Sequence, residues 1–185
     1  MRVFSLLLAL LLAGPVSAQE DVNGAINRIY DEISAAYNSL DSDTLTGYYS
    51  DNACLISASK EEGLLNGRME IADGLAHWFK KIEKRGAELK VHYRVVNRQI
   101  SGDTITDAGY YLVVYTPDHS TEQPSSEFVG KFIMSFQQDQ DKQWRIISDS
   151  ANRTRVDRFT DAQRQKGLYY KEYSPSALPQ QANSK

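Results

Sequence analysis

The stretch that most restricts what this chain can fold into is residues 130–152, GKFIMSFQQDQDKQWRIISDSAN. Apolar residues alternate at Phe132, Met134 and Phe136, a polar run at 137–142 interrupts them, and Trp144, Ile146 and Ile147 resume. A period of two on both sides of an acidic, amide-rich turn predicts two antiparallel strands joined as a hairpin. The same period runs through Leu89, Val91, Tyr93 and Val95, alternating with Lys90, His92, Arg94 and Val96. Ser101-Gly102-Asp103 then turns the chain into a partner strand over 104–115. That partner is apolar on both faces, with Ala108, Tyr110, Leu112 and Val114 against Gly109, Tyr111, Val113 and Tyr115. Such a pattern predicts a sheet covered on both sides, by helices on one and a second subunit on the other.

Before the strands the period is helical. Val22, Ile26, Ile29, Ile33, Ala36, Tyr37 and Leu40 form one stripe over residues 22–40, with Asp21 as the expected N-cap. Asp41-Ser42-Asp43 predicts a stop and the cap of a short second helix carrying Leu45, Tyr48 and Tyr49. Residues 53–58 predict a strand, and Asn66-Gly67 a turn. A third helix presents Ile71, Leu75, Trp78, Phe79 and Ile82, and ends in Lys80, Lys81, Lys84 and Arg85 before Gly86. Bases there match the negative end of the helix dipole, so the expectation is a solvated helix end and no binding patch.

Three helices followed by long antiparallel strands is an α+β order. The closing pattern, Gly130-Lys131, a strand, an acidic turn, Trp144-Arg145-Ile146 and Asp149 followed by Asn152, resembles the end of the nuclear transport factor 2-like superfamily. Within it the chain is most similar to domain of unknown function 4440, a relative of the SnoaL-like cyclases and ketosteroid isomerases, over residues 22–154. The resemblance implies a cone-shaped roll, with three N-terminal helices in the concave face of a strongly curved sheet. It also implies a pocket inside the cone for small, often apolar ligands.

The remaining sequence bounds the setting. Residues 1–18 have the form of a secretory signal, with Arg2, an apolar core at 6–12 and Val16-Ser17-Ala18 as cleavage site, and the apolar run is shorter than the ~20 residues a membrane span needs. A periplasmic or secreted protein is expected. The single cysteine, Cys54, lies among Ala53, Leu55 and Ile56 and is expected to be a buried small hydrophobe. A formal charge of −3 without a basic stripe argues against nucleic acid as a partner. The domain is expected at 19–154, followed by an arm and a disordered tail over 155–185. Within the arm, Phe159, Leu168, Tyr169, Tyr170 and Tyr173 are too aromatic for a linker, which predicts docking on the domain, over the cone mouth or on a neighbouring subunit.

Candidate chemistry rests on polar residues within apolar elements. Asp107 and Asp149 are the candidate bases, for proton removal next to a carbonyl, with structural carboxylates as the competing reading. Tyr48, Tyr93, Tyr110 and Tyr111 could donate to an oxyanion, or be core. Trp78, His92 and Arg94 complete the candidate ligand-binding set with Tyr48, Tyr93 and Tyr110. His77, His92 and His119 lack metal-ligand spacing, and no Walker, dinucleotide or GxSxG pattern occurs, so no metal and no cofactor is expected. Whether the protein is an enzyme is left open between three readings: a small-ligand pocket, an isomerase or cyclase, and an assembly module. The partners expected are a small apolar ligand and a second copy, paired through Tyr111, Val113, Tyr115, Ile133 and Ser135 if they share the outer sheet face.

Overall fold

The computed structural model describes residues 15–58 and 63–173, with side chains from residue 22. The apolar run at 6–12 and the tail from 174 lie outside the described residues. A long helix α1 (Pro15–Ser39) and a short α2 (Ser42–Gly47) precede strand β1 (Tyr49–Ile56). Strand β2 (Leu64–Asn66), helix α3 (Gly67–Glu83) and strands β3 (Glu88–Ser101), β4 (Thr104–Thr116), β5 (Ser126–Gln138) and β6 (Trp144–Thr154) follow, then α4 (Val156–Thr160). The six strands form one sheet in the order β2-β1-β6-β5-β4-β3. All pairings are antiparallel except β1 with β6.

Local chemistry places most boundaries. Asp41 caps α2 by accepting from Thr44 N at 2.9 Å, and Leu40 at φ 54° ends the stripe of α1. Asp21 is not a cap, because α1 runs through it from Pro15. Ile26, Tyr30, Ile33 and Ala36 of α1 and Ile71, Leu75, Phe79 and Ile82 of α3 are buried against the inner sheet face. Cys54 is half-buried and free, more exposed than its apolar neighbours suggest.

A bulge in β3 between Val95 and Asn97 reverses the alternation of that strand. Before it the odd-numbered Leu89, Val91, Tyr93 and Val95 point inward; after it Arg98 does. Gly109 sits opposite Val95, where a Cβ would collide with the carbonyl oxygen of Arg94, so only glycine fits beneath the bulge. Arg98 pairs with Asp107 across the strands, Nε to Oδ1 and Nη2 to Oδ2 both at 2.7 Å. Its guanidinium also donates to Asn23 Oδ1 at 3.0 Å and Asn27 Oδ1 at 3.3 Å, tying α1 to the sheet.

The outer face is covered in part by the chain's own C-terminal arm. Phe159 of α4 is buried with Leu112, Val114 and Val129 in a second apolar cluster, with Tyr110, Val156 and Tyr173 packed around it. Arg94 lies under the arm, donating to Phe159 O at 2.6 Å, Tyr173 O at 2.8 Å and Lys171 O at 3.3 Å, with its guanidinium 4.1 Å from the Phe159 ring centre. The arm also pairs with the free edge of β3, through Val95 N to Tyr169 O at 2.9 Å and Lys171 N to Tyr93 O at 3.0 Å. Tyr169 turns inward there, stacks on Tyr30 at 5.2 Å and donates to Asp31 Oδ1 at 2.8 Å. The arm docks on the β3 edge and outer face, and none of its described residues lines the cavity inside the cone.

Removing the arm after Thr154 would uncover Leu112, Val114 and Val129 and empty the Tyr169 site. Truncation is therefore expected to cost about 5 kcal/mol, from a few buried apolar side chains and several hydrogen bonds, and to lower Tm by roughly 10–20 °C. A calorimetric melt of the shortened chain checks this. An unchanged Tm would contradict the packing described.

Candidate functional site

The inner face of the sheet is not filled along its whole length. Between the helices and the sheet, a cavity of about 680 Å³ is lined by Tyr37 of α1, Leu75 and Trp78 of α3, and inward residues of the four long strands. Those strand residues fall in cross-sheet rows. Leu89, Tyr115 and Ser126 form one row, Val91, Val113 and Phe128 the next, and Tyr93, Tyr111, Gly130 and Arg153 the third. Phe132 and Ala151 follow, and Met134 and Asp149 lie deepest among the lining rows. The period of two that makes these strands also selects which residues reach the cavity.

Asp149 is the only carboxylate among the described lining residues. Its Oδ2 accepts from Tyr49 Oη at 2.9 Å, and no cation among the described residues pairs with it. Burial among apolar walls pushes its pKa up to about 6, against the opposing Tyr49 hydrogen bond. Asp107 lies in the same register row two strands away, about 10 Å across the sheet, yet its oxygens are consumed by Arg98. Two carboxylates at one depth thus have opposite surroundings, one ion-paired and sealed under α1, the other facing the cavity with no cation partner among the described residues.

Three tyrosines stand around Asp149. Burial raises the pKa of Tyr49 and Tyr93 well above the ordinary phenol value, and the charge of Asp149 adds to both. Tyr111 is pushed up to about 12, mainly by burial, with Arg153 opposing and Asp149 reinforcing. All three keep their protons at neutral pH; Tyr49 donates to Asp149, which leaves Tyr93 and Tyr111 as candidate donors to a ligand. Tyr111 lies flat over β5, where a Cβ at Gly130 would run into its ring, so the glycine makes room for it. Arg153 stacks on Phe128, its guanidinium carbon 3.7 Å from the ring centre.

Of the candidate residues, the structure brings Asp149, Trp78, Tyr93 and Tyr111 together in the cavity. It separates the others. Asp107 is bound by Arg98 and is 0% exposed, which leaves it no access to a ligand. Tyr48 ends α2 and bonds Glu32 at 2.5 Å. His92 and Arg94 occupy the outward parity of β3, under Tyr173 and the arm, and Tyr110 is outward on β4. His92 and Tyr93, like Tyr110 and Tyr111, are adjacent in sequence and cannot share a face, so only one of each pair reaches the cavity. The residues that sequence reasoning misses are Tyr37, Tyr49, Lys81, Arg85 and Arg153. For Arg153 a signal is available, because it follows the inward Asp149 by four positions on a regular strand. Among the described residues no cluster of His, Cys, Asp and Glu could hold a metal ion.

The raised Asp149 pKa has a consequence for stability. The folded chain binds this proton more tightly than the unfolded one, so the contribution is present at low pH and lost as pH rises from about 4 to about 6. Asp149→Asn is neutral throughout and lacks that loss. The wild-type chain should lose about 2–3 kcal/mol relative to the variant between pH 4 and pH 7, measured by urea unfolding. A difference independent of pH would contradict the desolvated carboxylate.

Comparison with known proteins gives a consistent assignment. The chain resembles Aln2 from a Streptomyces species at 14% identity and TM-score 0.62, over 72% of this chain and 91% of that one. ActVI-ORFA from Streptomyces coelicolor matches at 12% identity and TM-score 0.63, covering 74% and 99%. A ketosteroid isomerase-like protein from Erwinia carotovora atroseptica matches at 12% identity and TM-score 0.56, covering 71% and 95%. At these identities the likeness is one of fold. No helix among the described residues is long and apolar enough to cross a membrane. No curated protein matches the chain. The family model for the SnoaL-like domain matches residues 26–151, which include Asp149 and most of the cavity strands, and the chain belongs to that family, with the fold of nuclear transport factor 2-like proteins.

Proposed function

We propose that the cavity binds a small, largely apolar ligand bearing a carbonyl group, and that Asp149 removes a proton from the carbon beside that carbonyl. The observation that carries this reading is a carboxylate on the wall of an apolar cavity, bonded to Tyr49 and to no cation among the described residues, where burial pushes its pKa up to about 6. A base of that strength is ionised at neutral pH yet holds a proton far better than an ordinary aspartate. Tyr49 occupies Oδ2 and orients the group, leaving Oδ1 to take the proton. The C–H electron pair moves into the carbon framework and onto the carbonyl oxygen, giving an enolate. Tyr93 or Tyr111, still protonated, donates to that oxygen. In a β,γ-unsaturated ketone the anion is a dienolate, and return of the proton from Asp149 to its γ-carbon completes an isomerisation; attack of the enolate carbon on a second carbonyl closes a ring, with the proton on Asp149 passing to the new alkoxide. The SnoaL-like family and the likeness to a ketosteroid isomerase-like protein support this reaction class.

The leader-like residues 1–18 support a periplasmic or secreted setting for this activity. Pairing of two copies through the outer face is also part of the proposal, with a changed contact set. Tyr111, Val113 and Tyr115 line the cavity, so the strip available is that around Ile133, which is 54% exposed, and Ser135.

The test is deuterium uptake by a bicyclic aryl ketone, 2-tetralone, in heavy water, followed by NMR. The protein should accelerate exchange, with a rate that rises through about pH 6 as Asp149 ionises. Asp149→Asn should reduce the acceleration by about 100-fold or more while Trp fluorescence shows the ketone still binding. Acceleration that persists undiminished in Asp149→Asn would remove Asp149 as the base, and no acceleration by the wild-type chain would leave a binding pocket alone.

A further inference from the structure

The charges along the cavity are segregated by depth. At its outer end the lining rows are open: Ser126 is exposed, and Tyr115 and Phe128 are half-buried. In the two rows beyond Arg153, Phe132 and Met134 are buried. Three cations line the cavity: Lys81 and Arg85 from the last turn of α3 and its exit, and Arg153 from the third row. All three are exposed, and none pairs with a carboxylate among the described residues. Asp118, which lies beside Gly86, is engaged in accepting from Ser120 N at 2.7 Å. In a chain of net charge −3, a group of cations around an apolar opening, without carboxylate partners among the described residues, is a local reversal. The solvated helix end expected from sequence is half right, since Lys81 and Arg85 belong to the cavity.

We propose that the ligand is an amphipathic monoanion that enters tail first, its carboxylate held at the mouth by Arg153 with Arg85 and Lys81, its keto group beside Asp149. This rests on the reading of Asp149 as the base and adds the substrate class and orientation. The reverse orientation would place a second negative charge against Asp149 in an apolar interior, where repulsion is least screened. Arg153 is suited to the head group. Its stacking on Phe128 uses the guanidinium face and leaves the N–H edges for a planar carboxylate. Spacing adds a length requirement. Asp149 and Arg153 share one face of a regular stretch of β6, four residues apart, which sets head group and reacting carbon about 13 Å apart. The class that fits is a long-chain or fused-ring keto acid. A reaction that elongates or oxidises an acyl chain would supply it.

The test uses the full chain at low salt with 11-oxododecanoate, its methyl ester, and the short 5-oxohexanoate. The acid should bind about tenfold more tightly than the ester, and the preference should vanish in the surface double variant Lys81→Glu/Arg85→Glu and in Arg153→Met. Deuterium should enter beside the ketone of 11-oxododecanoate and not beside that of 5-oxohexanoate, which cannot span from mouth to base. Equal binding of acid and ester overturns the head-group assignment while leaving Asp149 as base if the ester still exchanges. Equal exchange of the long and short acids overturns the spacing. If neither long compound binds while 2-tetralone does, the monoanion class is wrong and the base reading stands.

Discussion

The buried pair of Arg98 and Asp107 is the joint on which the cavity depends. A guanidinium fork meets a carboxylate at two contacts of 2.7 Å, and its remaining N–H groups reach Asn23 and Asn27 of α1. The arrangement fixes the helix across one end of the sheet. There Tyr30 packs against Tyr93, Phe132, Phe136 and Tyr169, closing that end with aromatic rings. With that end shut, the cavity extends along the sheet toward the row of Leu89, Tyr115 and Ser126. Buried ion pairs add little net stability compared with apolar packing. Its use here is to hold one helix at one register, which an apolar contact would define less sharply.

The same pair also separates the roles of two aspartates. Asp107 and Asp149 share a row and a face, yet among the described residues only Asp107 is paired with a cation. Asp149 is left with a single phenol donor and apolar neighbours, so desolvation dominates and its proton affinity rises. Outside the cone, Arg94 solves a different problem. It satisfies carbonyls of α4 and the arm that would otherwise be buried without donors, and the arm in turn covers the free edge of β3. Fold and site are thus organised by three arginines: Arg98 closing the cone, Arg94 fastening its outside, and Arg153 at its mouth.

Much of this is legible in the sequence. The α1 stripe, the α3 face and the long strands follow from periods of 3.6 and 2, and the closing hairpin identifies the superfamily. Short elements are less so: β2 has only three residues, and Tyr49 opens β1 although the helical spacing of Leu45 and Tyr48 draws it into α2. The parity of β3 is the main obstacle. Alternation gives two faces and does not say which is inward, and the bulge at Val95–Asn97 reverses the choice partway along. Hence His92 and Arg94, expected in the pocket, lie outside it, while Arg98, which holds the helix, carries no mark in the sequence that sets it apart. The aromatic arm is readable as a docking segment, but its dock is not, because edge pairing depends on which strand ends the sheet.

The central claim is that desolvation in an open apolar cavity sets the proton affinity of Asp149. It is tested most directly by the carboxyl carbon shift of Asp149, followed by NMR from pH 3 to pH 9 in the ligand-free protein. The account predicts a midpoint at about 6, moved further upward by Tyr49→Phe, which removes the lone hydrogen bond to the ionised form. A midpoint at the ordinary aspartate value near 4 would contradict it, since the carboxylate would then be solvated and no better a base than any on the surface.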